Sequence, residues 1–538
     1  MPCHDADMRE IELKFQVPDA RRAALGRALA RGVATHRIRL EAAYFDTADR
    51  RLARAGLGLR LRREGDRWVQ TLKGASLDGI ARAEHNVPRG VGAMPSPDAA
   101  LHAATPIGAV LQACLAGQGG ATLVSLYGTA IERVTRPLTS RAPRGRVEMA
   151  FDVGRVEAGP RTLPVCELEI ELLAGSPLAV LATARRWLPR FGLWLDSRSK
   201  AERGDLLARG EQRAPPRTAQ PVALRRKMSV AEAWQNVLRS CADQIIANAS
   251  QVASGDHADE HVHQLRVGLR RLRSAHRFFE GLAGAAAPDP QRAALAEPAA
   301  ALFRALGEAR DGAVFDAGFG ALLGQARRAS GLVESAAPAV ALAPSASATD
   351  TVREPAHQML LLDLIAAMQT APEIAPEAAP AAAPATAPPR GPLTPEVQAP
   401  SLRSAVARRL NRWHARVVAD AKRYADLDDA ARHGLRKRAK RLRYAAEFSA
   451  DLFERRAVRR YLSALRALQD RLGAVSDTTM AMARLSAGHA SGARAHPAPA
   501  PDADTAFALG WLASRREWLV ASAAPQLDAF VDAKRFWK

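Results

Sequence analysis

From Glu10 to about Gly204 apolar and polar residues mostly alternate, and Gly and Pro interrupt the alternation at short intervals. That period of two predicts antiparallel strands with one buried and one polar face, joined by turns and a few short helices. From Ser229 onward apolar residues recur at spacings of three and four within long stretches rich in Ala, Leu and Arg, which predicts amphipathic helices. A polar stretch from about Glu211 to Lys227 separates the two patterns, and its Pro215-Pro216 pair stops either kind of element. The expected organisation is a strand domain over residues 1–205, a linker over 206–228, a helical domain over 229–486 and a partly helical tail over 487–538. From about 335 to 400 Ala and Pro dominate, as in APEIAPEAAPAAAPATAPPRGP, so the ends of that insert are expected to be flexible. The apolar patch Met359–Ile365 inside it is expected to form one helix of the helical domain.

The polar faces of the strands carry charge in an unusual distribution. On the first strand Glu10, Glu12 and Lys14 share one face and Ile11, Leu13 and Phe15 the other, with the two carboxylates about 7 Å apart. A single strand of this kind reads as an ordinary solvated face. Further along, however, Arg60 and Arg62 alternate with Leu59 and Leu61, Lys73 shares a face with Thr71, and Arg82 with Glu84. Glu167, Glu169 and Glu171 alternate with Leu168, Ile170 and Leu172. A solvated face mixes its signs, whereas here acids gather on two strands and bases on others, as if carboxylates held a cation and guanidinium and ammonium groups an anion.

These residues resemble the CYTH family, the triphosphate tunnel metalloenzymes, whose mark is an ExExK strand near the N-terminus, here Glu10, Glu12 and Lys14. The resemblance extends through Tyr44-Phe45-Asp46-Thr47, the Arg60/Arg62 strand, Thr71-Leu72-Lys73, Arg82, Glu84, Arg133, Asp152, the Glu167/Glu169/Glu171 strand and Ser199-Lys200-Ala201-Glu202-Arg203-Gly204. It implies an eight-stranded antiparallel β-barrel with a charged lumen and hydrolysis of a linear triphosphate, or in some members cyclisation of ATP or hydrolysis of thiamine triphosphate. On that resemblance Glu10, Glu12, Lys14 and Lys73 are candidate catalytic residues, and Arg60, Arg62, Lys73, Arg82, Glu84, Arg133 and Lys200 are candidates for holding substrate. Arginines suit the non-bridging oxygens through bidentate contacts and lysines as point charges. Mg²⁺ or Mn²⁺, hard ions that prefer oxygen, would be held by Glu10, Glu12, Glu169 and Glu171, with Asp152 and Glu167 as further candidates. Lys14 reads equally as a phosphate ligand or as the group that orients the two glutamates. Where the family has an aromatic residue near Pro137, this chain runs Val134-Thr135-Arg136-Pro137, which leaves Arg136 either a partner of Arg133 or a solvent-facing side chain.

The helical half matches itself. His263-Gln264-Leu265-Arg266 followed by Arg270, Arg271, Leu272 and Arg273 recurs 170 residues later as His433-Gly434-Leu435-Arg436 followed by Lys440, Arg441, Leu442 and Arg443. Leu306-Gly307-Glu308-Ala309-Arg310-Asp311 and Leu472-Gly473-Ala474-Val475-Ser476-Asp477 follow in turn, so an internal two-fold repeat of several helices is expected. On a helix His263, Arg266, Arg270 and Arg273 fall within an arc of about 80°, while Leu265, Leu269 and Leu272 face another side. The equivalent stripe is His433, Arg436, Lys440 and Arg443. A charged stripe is usually a solvated face, but the stretch from Arg432 to Arg471 has 13 Arg or Lys against 4 Asp or Glu, a self-repulsion that calls for an anionic ligand. A histidine at the same place in both stripes adds a donor whose charge rises as pH falls. This half resembles the CHAD family through VHQLRVGLRRLRSAHRFF, ALGEARD, HGLRKRAKRLRYAAEF and LGAVSD. The resemblance implies an all-α bundle with a basic groove that binds inorganic polyphosphate and no catalysis of its own.

Bulk properties then narrow the alternatives. A chain of 538 residues exceeds a single core, and its formal charge of +21 calls for a polyanionic partner. With 5% aromatic residues and neither a zinc spacing nor an aromatic-interleaved RNA motif, nucleic acid is set aside. Cys3, Cys114, Cys166 and Cys241 lack CxxC spacing, the first residues lack a signal-peptide pattern, and no run of about 20 apolar residues follows, so a cytoplasmic protein without membrane insertion is expected. The combined expectation is an α+β multidomain protein: an inorganic triphosphatase that cleaves tripolyphosphate and docks polyphosphate or its granules. The alternatives are a non-catalytic polyphosphate-binding protein, or cyclase or thiamine triphosphatase chemistry in the same barrel.

Overall fold

The computed structural model describes residues 9–32, 35–76, 81–116, 122–282, 290–315, 319–331, 347–369, 401–492 and 502–538. The strands are β1 (Arg9–Gln16), β2 (His36–Thr47), β3 (Gly58–Glu64), β4 (Arg67–Ser76), β5 (Ala81–Val91), β6 (Leu123–Arg141), β7 (Arg144–Ala158), β8 (Arg161–Gly175) and the short β9 (Trp194–Leu195). They pair antiparallel in the order β5-β4-β3-β2-β6-β7-β8-β1-β9, and β5 also pairs with β1, which closes an eight-stranded barrel with β9 as an appendage. Alternation dictates its two faces. Leu13, Phe15, Leu59, Leu61, Leu72, Met149, Phe151, Leu168 and Ile170 are buried, while their sequence neighbours, mostly charged, point the other way into the lumen.

Helices α1 (Asp19–Ala30), α2 (Arg51–Arg54), α3 (Pro106–Leu115) and α4 (Leu178–Phe191) cover the apolar outer face, whereas α5 (Lys200–Arg209) packs through Leu207 on Leu40, Ile131, Val156 and Val165 of the inner face. Asp46 fixes the turn into α2, accepting from the backbone of Thr47, Leu52 and Ala53. Leu52 and Leu111 then join Leu57, Leu59, Leu61 and Leu72 in one cluster. Arg136 corrects both sequence-based readings: its guanidinium donates to the carbonyls of Ala28 (2.9 Å) and Leu29 (3.1 Å), capping the end of α1. An odd number of positions separates it from Arg133, so it faces away from the lumen.

The helical region follows with α6 (Val230–Ala253), α7 (Asp259–Glu280), α8 (Pro290–Ala294), α9 (Ala296–Phe315), α10 (Ala321–Ala329), α11 (Ala348–Arg353), α12 (Pro355–Gln369), α13 (Leu402–Lys422), α14 (Asp429–Phe448), α15 (Arg455–Gly492), α16 (Ala503–Ala521) and α17 (Ala524–Val531). The chain divides into two compact units: Met1–Thr218 with Ala242–Gly268 and Ala348–Thr370, and Ala219–Cys241 with Leu269–Ser347 and Ala371–Lys538. The patch Met359–Ile365 is indeed helical, but α12 belongs to the barrel's unit. It packs on α4 and β9 and buries Leu360, Leu361, Leu362, Leu364 and Ile365. Gln358 accepts from the Leu195 backbone at 2.7 Å, and Asp363 pairs with Arg185 at 2.6 Å. The Ala/Pro-rich ends of the insert, 335–346 and 370–400, lie outside the described residues.

In the second unit the tail is part of the core. Phe530, Phe536 and Trp537 are buried around Tyr461 and His414, whereas Trp518 is 60% exposed beneath the Arg471 guanidinium. Among the described residues no helix is long and apolar enough to cross a membrane, and Cys114, Cys166 and Cys241 are free thiols.

Candidate functional site

Register brings the charged residues of separate strands into rows across the lumen. Glu12 lies opposite Glu171, Lys14 opposite Glu169 and Gln16 opposite Glu167. On the far side of β8, Glu148 is opposite Glu171 and Asp152 opposite Glu167, while Arg133 is opposite Asp152. Glu10 faces Arg82, Tyr44 faces Arg60 and Lys73 faces Glu84. Directly opposed residues share a face, with Cβ atoms about 5 Å apart. The strand residues in these rows therefore lie on one inner surface.

Within it the ion pairs fall into two groups. In the first, Lys73 bridges Glu10 (2.7 Å) and Glu84 (2.6 Å), and Arg82 reaches Glu12 (2.5 Å) and Glu10 (3.6 Å). Lys14 lies 3.8 Å from Glu12. In the second, the Lys200 ammonium sits among Asp152 (2.7 Å), Glu169 (2.8 Å) and Glu167. Arg133 grips Asp152 with two nitrogens at 2.7 Å and Glu169 with one at 2.5 Å, and Arg203 contacts Glu167. Arg62 pairs with Glu64, whereas the half-buried Arg60 bonds Tyr44 and leaves its buried Nε without a partner.

Neutralisation is uneven. Burial works to raise the pKa of Glu10, Glu12, Glu169 and Glu171, but Lys14 and Arg82 outweigh it at Glu12, and Lys200 and Arg133 at Glu169, so both stay below the usual carboxylate range. Burial and the neighbouring Glu12 push Glu10 up to about 8 and Glu171 up to about 7. Glu171 makes no ion pair among the described residues, and the row Glu12–Glu171–Glu148 holds more negative charge than its lysines and arginines offset. Glu148 was legible in principle: it continues the alternation Glu148, Ala150, Asp152 on β7. Arg203, seven percent exposed, is the other residue the sequence reading passed over, one turn beyond Lys200 on α5.

The donor set suits a divalent cation. Oxygens of Asp152, Glu167 and Glu169 lie within 4.8 Å of one another, with Lys200 supplying the positive charge between them. The adjacent Glu12–Glu171 row offers further hard oxygens with unmet charge, and no soft ligand intrudes on either group.

Helix α5 reaches this cluster because Ser199 and Glu202 cap it reciprocally and Gly204 lets it lie against β6. A Cβ on Gly204 would overlap the Tyr127 ring, which is stacked on Tyr44 at 4.8 Å. Gly204→Ala is expected to cost about 1–3 kcal/mol and lower the Tm of the barrel's unfolding, read by calorimetry; an unchanged Tm would contradict this packing.

In the helical half, α7 and α14 carry the two stripes. His263 and Arg266 lie on the part of α7 that belongs to the barrel's unit, and Arg270 and Arg273 on the part in the second unit. There the guanidinium groups of Arg270 and Arg273 each lie 5.3 Å from the Phe303 ring. Arg436 donates to Ser476 (3.1 Å) and Asp477 (3.0 Å), and His433 Nδ1 is 3.1 Å from the same Ser476 oxygen. Arg443 pairs with Glu447 at 3.5 Å. Burial, Arg270 and Arg436 press Lys440 down to about 7, and burial with Lys437 and Arg436 lowers His433. The LGAVSD element thus supplies direct partners of the second stripe; the side chains of 308–311 in its counterpart lie outside the described residues.

A closed barrel with an acid-and-base lumen, followed by basic helices, defines a two-domain class. The chain has a CYTH domain over residues 8–204 followed by a CHAD domain over residues 236–486. Among curated proteins it is similar to the inorganic triphosphatase of Haemophilus influenzae, 28% identical over 207 residues. That match takes in 37% of this chain and 55% of the relative, so the chain spans about half the length of the curated protein it matches. Of solved structures, the CHAD domain from Ricinus communis is 28% identical, with a TM-score of 0.43 over 60% of this chain and 98% of that one. A Hippeastrum protein described as an adenylyl cyclase with a dominant triphosphatase activity is 22% identical, with a TM-score of 0.29 over 38% of this chain and 96% of that one.

Proposed function

We propose that the barrel hydrolyses tripolyphosphate to pyrophosphate and phosphate with a divalent metal, Mg²⁺ or Mn²⁺, and that the helical domain holds inorganic polyphosphate. The observation that carries this reading is the lumen itself, where Arg60, Arg62, Lys73, Arg82, Arg133 and Lys200 share one inner surface with Glu10, Glu12, Asp152, Glu167, Glu169 and Glu171. The Haemophilus influenzae relative's name supports it.

A linear triphosphate carries several negative charges, which repel an incoming water until they are neutralised. Arg60, with an unpartnered buried Nε, and Arg62 offer planar donor forks to the non-bridging oxygens. Lys73 and Arg82 already span two carboxylates each and can turn one contact toward phosphate while Glu84 or Glu10 keeps them placed. Glu10, Glu12, Glu169 and Glu171 would hold the metal, with Asp152 and Glu167 completing the set as Lys200 moves its charge to phosphate. Such an ion, when bound, supplies Lewis-acid charge stabilisation on the terminal phosphoryl group. Water oxygen joins the terminal phosphorus as the bridging P–O bond breaks, the water's proton passes to bulk water, and the lysines and arginines neutralise the charge that develops on the leaving pyrophosphate.

Incubating the purified full chain with tripolyphosphate and Mg²⁺ or Mn²⁺ is expected to yield pyrophosphate and phosphate in equal amounts, resolved by ion chromatography. Cyclic AMP from ATP as the main product would transfer the barrel to cyclase chemistry. Inactivity toward tripolyphosphate and thiamine triphosphate alike, with polyphosphate still bound, would leave a receptor and overturn the enzyme reading.

A further inference from the structure

We infer that the second unit carries a separate site for a nucleoside phosphate, in a cavity of about 360 Å³ between Tyr424, the start of α14 and the middle of α15. Leu472, Val475 and Met480 give it apolar walls, and Tyr424, Ser476 and Thr479 also line it, the Thr479 hydroxyl donating to the Val475 carbonyl at 3.1 Å. Tyr424 is buried, and its phenol oxygen has no hydrogen-bond partner. The Arg432 guanidinium lies over the Tyr424 ring, 5.3 Å from its centroid. Asp429, also in the lining, accepts from Arg432 (3.4 Å) and Arg516 (3.0 Å) and so presents a fixed carboxylate.

An inorganic phosphate chain has no use for these apolar walls, and a plain hydrocarbon has none for the carboxylate, phenol and hydroxyl groups. A heteroaromatic base uses both. The cavity also opens beside positive charge: His433 lines it, and Ser476 joins His433 to Arg436 at 3.1 Å on either side, with Lys440 one turn further along α14. A base seated in the cavity would therefore lay its phosphates on the second basic stripe. The site rests on the reading of that stripe as a phosphate site only for the placing of this tail.

Titration calorimetry on the full chain in EDTA, which withholds metal from the barrel, compares ADP with pyrophosphate and long-chain polyphosphate. ADP is expected to bind about tenfold or more tighter than pyrophosphate, the lower part of what stacking one base contributes. Thr479→Trp and Met480→Trp fill the cavity from its half-buried and exposed edges, and each is expected to bring ADP to the level of pyrophosphate while polyphosphate binds as before. Equal affinity of ADP and pyrophosphate for the wild type would overturn the site, as would an ADP advantage that survives both variants. A wild type that prefers ADP to pyrophosphate yet binds no polyphosphate would overturn the stripe reading and leave the cavity standing.

Discussion

Replacing Glu10 and Glu12 together by glutamine is expected to lower phosphate release from tripolyphosphate by about 10²–10³-fold, the range seen when one preorganised electrostatic contact to the transition state is lost. The amide keeps the volume of each side chain and removes two carboxyl groups from β1. Two consequences combine: hard oxygen ligands disappear, and Lys73 and Arg82 lose the carboxylates that place them at 2.7 and 2.5 Å. Because that second effect also leaves a buried guanidinium short of partners, a stability loss would complicate the result. Glu171→Gln separates them. Glu171 makes no ion pair among the described residues, and burial with Glu12 already pushes it up to about 7. Its replacement is expected to weaken Mn²⁺ binding, measured by paramagnetic resonance, and to lower activity while Tm holds or rises. Full activity and metal affinity in both variants would exclude β1 and the Glu12–Glu171 row as the metal's ligands.

The second large effect is expected in the helical unit. Arg436→Gln with Lys440→Gln is expected to weaken polyphosphate binding by about 100-fold or more, since each charge-assisted hydrogen bond contributes about 1.5–3 kcal/mol. Tripolyphosphate hydrolysis should be unaffected. The wild type also has a pH signature. Lys440 is pressed down to about 7 by burial, Arg270 and Arg436, with Arg443 adding to them and Asp477 opposing. Free protein is thus largely neutral at Lys440 above that pH, whereas a bound polyanion favours the ammonium, so binding takes up a proton and affinity falls as pH rises from about 7 to 9. Lys440→Gln alone should flatten that slope. A pH-independent affinity in the wild type would remove Lys440 from the phosphate contacts.

Much of the barrel was readable because its signal is local. A strand with one face against helices must alternate, so Glu10, Glu12 and Lys14 announce their shared side without any knowledge of neighbours. Which strands adjoin is a different matter. That Glu148 completes a row with Glu171 and Glu12 depends on β7–β8–β1 adjacency, and that Arg136 caps α1 depends on where that helix ends relative to β6. Helix α12 shows the same limit from the apolar side. It is buried around nearly its whole circumference, so periodicity gives no hint of direction, and its partners Arg185 and Leu195 lie well over a hundred residues earlier. The basic stripes were legible as stripes, but the Ser476–Asp477 contacts that seat Arg436 come from a helix whose register along α14 no spacing rule supplies.

The placement of α12 has a consequence for biosynthesis. The barrel's strands have all been made by residue 195, yet part of the surface that covers α4 and β9 arrives only with residues 348–369. At about 5–20 residues per second a ribosome needs about 9–35 s to travel from the end of the strands to the end of that helix. During that interval the nascent barrel carries an uncovered apolar strip on α4, and the chain emerging behind it must deliver its own cover before a neighbouring polysome finds the same surface.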